Sequence, residues 1–158
     1  MQKIVPCLWF DDQAEEAVNF YLSIFKDGKI LRISRYGDEG LGQPGSVLTI
    51  EFQLEGQDFI ALNGGPVYTF SPAISLLVNC ETQEEVDHLW DSLSAGGEVQ
   101  QCGWLQDKFG VTWQIVPTIL GELMHEGKDP AKVSNVTKAM LQMVKLDIEV
   151  LKQAYEQG

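Results

Sequence analysis

Long apolar runs are missing from this 158-residue chain, and so is any excess of positive charge. No stretch approaches the ~20 consecutive apolar residues of a membrane-spanning helix, so no transmembrane segment is expected. Met1-Gln2-Lys3-Ile4-Val5-Pro6 places no long apolar stretch behind its basic residue, which argues against a secretory leader. Lys and Arg number 11 against 23 Asp and Glu, for a net charge of −12. A nucleic-acid binder needs a basic stripe to replace condensed counterions, and none is visible. Anionic membrane surfaces are unsuited as partners for the same reason. The acid is scattered over helices and turns, where it serves solubility. Cysteine is scarce. Cys7, Cys80 and Cys102 are odd in number and far apart, so they form neither a disulfide framework nor a CxxC metal knuckle. A reducing cytoplasm is the expected compartment. His88 and His125 pair with no Ser or Cys in a recognisable triad.

What is present is ordinary globular material, 44% hydrophobic and 22% charged. Ile4–Phe10 reads as a short strand. Asp11 or Asp12 then caps a helix whose Ala14, Ala17, Val18, Tyr21, Leu22 and Phe25 recur at helical spacing. Lys29–Tyr36 is a strand, and 37–45 a glycine-rich loop expected to be mobile. Ser46–Leu54 and Gln57–Asn63 are two strands joined by Glu55-Gly56, a hairpin signal. Gly64-Gly65-Pro66 ends the run, and Val67–Pro72 is a linker.

The pattern then restarts. Ala73–Val78 is a strand. Thr82 is an N-cap with Glu85 three residues on, and Val86, Leu89, Trp90 and Leu93 form the next helical stripe. Glu98–Cys102 is a strand, followed by the hairpin Gly103–Pro117. In that hairpin Val111, Trp113 and Ile115 point one way and Thr112, Gln114 and Val116 the other. A shift of 69 residues brings the halves into register: Glu15-Glu16 falls on Glu84-Glu85, Gly28 on Gly97 and Ile30 on Val99. Each half is strand–helix–strand–strand–strand. The expected organisation is α+β, with one βαβββ module over 1–66, a second over 73–117 and a C-terminal helical extension over 118–158. In that extension Thr118–His125 is a short helix. A longer one starts at Asp129-Pro130 and carries apolar residues from Ala139 to Tyr155, either docked on its own domain or facing a second subunit.

Two βαβββ units, LNGGP at Leu62–Pro66, PCLWFDDQAEEAVNFYLSIF at Pro6–Phe25, VNCETQEEV at Val78–Val86 and GWLQDKFGVTWQIVP at Gly103–Pro117 form a specific combination. The chain resembles the PhnB-like branch of the vicinal-oxygen-chelate superfamily, the glyoxalase/bleomycin-resistance/dioxygenase group. The resemblance implies paired βαβββ modules forming a curved sheet, usually in a homodimer, with the site in the cup of the sheet. Metal-dependent members of the superfamily hold their ion with His or Glu on the first and fourth strands of each module. Those positions carry over to Val5, Ala61, Ile74 and Gln114. Three of these cannot bind a metal and a glutamine is a poor ligand, so no metal and no cofactor is expected. Such chains often carry the label 3-demethylubiquinone-9 3-methyltransferase, but no Gly-rich loop follows a strand here as a nucleotide-like methyl donor requires.

The expected site is an apolar cup with a few convergent polar groups, lined by Val5, Cys7, Trp9, Ala61, Asn63, Ile74, Trp104, Thr112 and Gln114. Gln114 either hydrogen-bonds a ligand or is satisfied by backbone, and Asn63 either shares the cup or caps its strand. Trp9 either walls the pocket and offers its indole N–H or packs in the core. Cys7 has no base near it in sequence and reads as inert. Glu51 is expected to face away from the cup, because Glu55-Gly56 sets Ile50 opposite Ala61. The expected function is metal-free binding of a small apolar or aromatic molecule. The alternatives are a metal-free enzyme of unknown reaction in the same cup, and a dimeric scaffold without pocket chemistry.

Overall fold

The computed structural model describes Met1–Gln157, in two compact units, Met1–Phe70 and the chain from Ser71 on. Unit 1 contains β1 (Cys7–Phe10), α1 (Ala14–Ile24), β2 (Gly28–Arg35), β3 (Val47–Leu54) and β4 (Gln57–Asn63). Unit 2 opens with β5 (Leu76–Cys80), α2 (Gln83–Ser94), β6 (Glu98–Val99), β7 (Trp104–Gln106) and β8 (Thr112–Pro117). It closes with α3 (Thr118–Met124), α4 (Pro130–Leu141) and α5 (Ile148–Glu156). The two sheets share one topology. Their orders are β1-β4-β3-β2 and β5-β8-β7-β6, with the first pair parallel and the rest antiparallel. β1 and β5 begin 69 residues apart, and so do α1 and α2. The repeat legible in the sequence is therefore a structural repeat.

Each unit covers one face of its sheet with its own helix. Along α1, Ala14, Ala17, Val18, Tyr21 and Ile24 are buried. They pack over Ile50, Phe52 and Leu54 of β3 and Phe59 and Ala61 of β4, where Phe52 stacks on Phe59 at 5.3 Å. Each large apolar side chain removed from water here contributes about 1.5–3 kcal/mol. In unit 2, Val86, Leu89, Trp90 and Leu93 of α2 lie against the β7–β8 side that carries Leu105, Trp113 and Ile115. Thr82 caps α2, its hydroxyl accepting from the Glu85 N–H at 3.2 Å.

The cap of α1 differs from the sequence expectation. Neither Asp11 nor Asp12 supplies it. Gln13 is the N-cap residue and makes no side-chain cap bond. Instead the Asn63 Oδ1, at the end of β4, accepts from the Ala14 N–H at 2.8 Å. An orphan helix donor is thus satisfied across the fold. Strands β1 and β5 also start later than expected, leaving Val5 and Ile74 outside both.

The C-terminal extension is broken where a continuous helix was expected. The segment between α4 and α5 turns its backbone to the loop before β7: Cys102 N–H donates to Met143 O at 2.9 Å and Gly103 N–H to Val144 O at 2.8 Å. Those carbonyls would otherwise accept within a helix. The same contacts end β6 at Val99, because Cys102 and Gly103 turn to φ 60° and 84°. Gln83 clamps the break, donating to Leu146 O at 3.1 Å and accepting from Ile148 N–H at 2.8 Å, and Lys145 pairs with Asp87 at 2.9 Å. Leu146, Leu151 and Val136 are buried, so much of the extension docks within its own unit.

The β7–β8 hairpin turns around a buried carboxylate. Asp107 Oδ1 accepts from the N–H groups of Phe109 (2.9 Å) and Val111 (3.0 Å), and Oδ2 from the Trp113 indole (2.9 Å). Gly97 lies so close to this turn that an added Cβ would overlap the Gln106 carbonyl oxygen, a backbone atom with little freedom to move. Gly97→Ala should therefore lower unfolding stability by about 3 kcal/mol. Gly45→Ala meets no neighbour and carries only the cost of its positive φ, about 1–2 kcal/mol. Urea denaturation of both variants measures the difference.

Candidate functional site

Strand register decides which side chains stand on the face of each sheet away from its own helix. Residues directly opposite each other in a ladder share a face, so the registers assign every side chain. In unit 1 the helix-free face carries two rows that cross all four strands. One row is Cys7, Ile60, Glu51 and Arg32. The next is Trp9, Leu62, Thr49 and Ser34. Each row is apolar over β1 and β4 and polar over β3 and β2. The polar ends pair across strands. Arg32 forms a two-pronged ion pair with Glu51, its Nη2 at 3.0 Å from Oε1, and the Ser34 and Thr49 hydroxyls hydrogen-bond. Arg32 remains 76% exposed, while Glu51 is only 14% exposed beneath it.

These registers correct three assignments. Ala61 lies fully buried opposite Leu8 and Ile50, on the side that α1 covers. Asn63 stands opposite Phe10 on that same side, and its amide caps α1 and donates to Val47 O at 3.2 Å. Glu51 occupies the helix-free face. Ile50 does pair with Ala61 as the hairpin signal requires, but that pair belongs to the covered face, so its neighbour Glu51 falls on the open one. A strand has period two, and a phase error of one residue exchanges the faces.

Trp9 lies on the open face, half-buried, but its indole N–H is occupied, donating to Gly65 O at 2.9 Å. Tyr68 meets its ring edge-on at 5.0 Å. An added Cβ at Gly64 would overlap that indole, and the Gly64 and Gly65 amides donate to Phe10 O (2.9 Å) and Asp11 O (3.1 Å). The Gly-Gly-Pro turn thus seats Trp9 and ties β4 to the end of β1. Val5, just before β1, is half-buried. The glycine-rich loop after β2, expected to be mobile, is tied by Tyr36 N–H to Ser46 O and Gly45 N–H to Tyr36 O, both at 2.9 Å.

In unit 2 the open face holds Leu77, Gln114 and Trp104 in one row across β5, β8 and β7. Gln114 is half-buried and its amide donates to Ser75 Oγ at 2.9 Å. Thr112 is 1% exposed, and its hydroxyl is the one buried side-chain polar atom without a partner among the described residues. Ile74 is 79% exposed in the bend before β5, outside the strand.

Thiol and carboxyl chemistry follows from the surroundings. Cys7 is an exposed residue, yet partial desolvation of its sulfur raises its pKa. Burial, then Glu85 and Glu81, pushes the Cys80 thiol up to about 12. Neither environment favours a thiolate nucleophile. Hydrogen bonding to Arg32 lowers the Glu51 pKa. The Gln2 N–H, followed by the Gln53 amide, lowers that of Asp58. A lowered folded-state pKa adds stability that is present above the unfolded value of about 4 and lost as the pH falls through the folded one. The stability difference between the wild type and Glu51→Gln/Asp58→Asn should therefore shrink on acidification from about pH 5 to pH 2. Urea midpoints across that range read it, and a difference independent of pH would contradict the assignment.

The sequence profile of the 3-demethylubiquinone-9 3-methyltransferase family matches residues 2–116. The PhnB protein of Bacillus cereus, described under the same methyltransferase heading, is 40% identical, with a TM-score of 0.68 over 74% of this chain and all of that one. The fosfomycin resistance protein FosX of Listeria monocytogenes, solved with Mn(II) and sulfate, shares the fold at 16% identity, with a TM-score of 0.54 over 77% of this chain and 95% of that one. So does a glyoxylase/bleomycin resistance protein/dioxygenase domain from Frankia, at 17% identity and a TM-score of 0.50 over 81% and 96%. No curated protein matches. With the family profile covering most of the chain and a PhnB protein 40% identical over 74% of it, the protein belongs to the PhnB-like 3-demethylubiquinone-9 3-methyltransferase family.

Proposed function

We propose that the protein binds a small apolar or aromatic molecule on its helix-free sheet faces, without a metal. One observation carries this reading. Both sheets are packed by their own helix on one side only, and the other side offers half-exposed apolar groups beside a few polar ones. In unit 1 these are Cys7, Trp9, Ile60 and Leu62 beside Glu51 and Arg32; in unit 2 they are Leu77 and Trp104 beside Gln114. Apolar contact would supply affinity and the polar groups orientation. The donor set is unsuited to a divalent cation. Among the described residues no group of three or more His, Cys, Asp or Glu is arranged to hold one, and Glu51 is engaged by Arg32. A nucleotide-like methyl donor also finds no cradle in the glycine turn, because the Gly64 and Gly65 amides already donate to Phe10 and Asp11.

Amide-resolved NMR titration with small phenols tests the reading. Shifts are expected at Ile60 and Leu62 or at Trp104 and Gln114, and Gln114→Ala or Glu51→Gln should weaken binding by about tenfold on its own face. Phenols that leave both faces unmoved would sink the proposal. A stoichiometric Ni²⁺ or Zn²⁺ adduct in native mass spectrometry would overturn its metal-free part.

A homodimer is supported by the outer strand of unit 1. All eight residues of β2 are exposed, and Ile30, Leu31 and Ile33 retain 37–43% of their surface on an unpaired edge. Such edges in soluble proteins are usually covered or charged. Sedimentation should give a dimer that Ile33→Lys shifts toward the 17.6 kDa monomer. A wild type that sediments as a monomer at high micromolar concentration would rule this out.

A further inference from the structure

A cleft of about 720 Å³ lies within unit 1, apart from the helix-free sheet face. It is bounded by the start of α1, the loop after β2 and the Gly-Gly-Pro turn after β4. Its size falls within the range of about 300–1,000 Å³ typical of small-molecule sites.

Its walls differ in chemistry. One carries Asp11, Asp12 and Glu15, whose carboxylates make no hydrogen bond or ion pair to any described residue. The cation among the lining residues, Arg35, donates through Nη1 to Gly45 O at 3.2 Å and holds the loop. Three carboxylates against one engaged guanidinium leave the cleft negative. The α1 dipole accounts for Glu15 in the first turn, but it does not account for an apolar wall facing these acids. The apolar lining comes from Tyr36, Val47 and Pro66. The Tyr36 ring is fixed: its hydroxyl donates to Asn63 O, and Gly40 and Gly42 lie so close that a Cβ on either would overlap it.

We propose that this cleft binds an organic ammonium ion, its charged head among Asp11, Asp12 and Glu15 and its apolar body against Tyr36, Val47 and Pro66. An ammonium carries three donors and no acceptor, which suits carboxylates that have no other partner. Among analogues of one shape, only the ammonium gains from these carboxylates; a neutral one does not, and an anionic one is repelled. Water competes for the charge, so the apolar body contributes binding that a bare inorganic cation cannot obtain. The wrapped loop explains its own composition: glycines at 40 and 42 are needed wherever the chain passes over Tyr36.

The test uses the full chain and three probes of one shape: phenethylamine, phenethyl alcohol and phenylacetate. Phenethylamine should shift the amides of Asp11–Glu15, Tyr36 and Gly64–Val67, and weaken as salt is raised. The alcohol should bind at least about tenfold more weakly, and phenylacetate more weakly still. Asp12→Asn/Glu15→Gln, two surface changes of nearly equal shape whose melting temperature is checked, should weaken the amine by about tenfold and leave the alcohol unchanged. Absence of amine binding, equal binding of amine and alcohol, or an unchanged affinity in the double variant would each overturn the proposal. Shifts confined to Ile60, Leu62, Trp104 or Gln114 would overturn it too, while leaving the sheet-face reading standing.

Discussion

Each four-stranded sheet has two faces and one helix lying on it, and this asymmetry governs the rest of the structure. α1 and α2 can bury their apolar stripes only against residues of one phase along each strand. Ile50, Phe52, Leu54, Phe59 and Ala61 belong to that phase in unit 1, and Leu105, Trp113 and Ile115 in unit 2. The other phase is left to face outward, and any sheet-face chemistry must be carried there. The choice is stabilising by tens of kcal/mol of gross apolar burial, offset by chain entropy of similar size. It is made by side chains that have no chemistry of their own.

Polar side chains then secure what burial leaves undetermined. Asn63 fixes the start of α1 through Ala14 and reaches β3 through Val47, while its carbonyl accepts from Tyr36. One residue thus ties a helix, two strands and the loop that wraps Tyr36. Asp107 does comparable work in unit 2, drawing two backbone N–H groups and the Trp113 indole onto one buried carboxylate. Removing either acceptor would leave donors unsatisfied in a poorly hydrated place. Asn63 looks like a possible site group in the sequence, whereas Asp107 does not stand out there. In the structure the hydrogen bonds they make serve the fold.

Much of the fold was legible beforehand because it depends on local signals. Glu55-Gly56 takes positive φ at both positions and sets the β3–β4 register, with Ile50 opposite Ala61. Thr82 caps α2, Pro130 begins α4, and the 69-residue shift aligns both strand–helix pairs. The candidate site was less legible. Alternation puts Cys7 with Trp9 and sets Gln114 against Trp113, and the sheets keep both relations, whereas the carried-over Ala61 and its alternate Asn63 lie on the covered face and Glu51 on the other. Val5 and Ile74 fall outside strands whose ends no local signal marks. The break before α5 had a signal in Asp147, a good N-cap that accepts from Val150 N–H, but an unbroken apolar stripe outweighed it.

By itself the sequence determined the order of elements within each of the two units, because hydrophobic periodicity, turn residues and an internal repeat are all read along the chain. It also determined the strong negative charge and the scarcity of metal-ligating side chains on the strands. Only the tertiary structure decided which phase of each strand is covered, since that depends on which face the helix crosses back over. It alone decided that Asn63, 49 residues away, would cap α1. It alone brought Asp11, Glu15, Tyr36 and Pro66 around one cleft, because these residues are distant in sequence and meet only when β1, β2 and β4 join in one sheet.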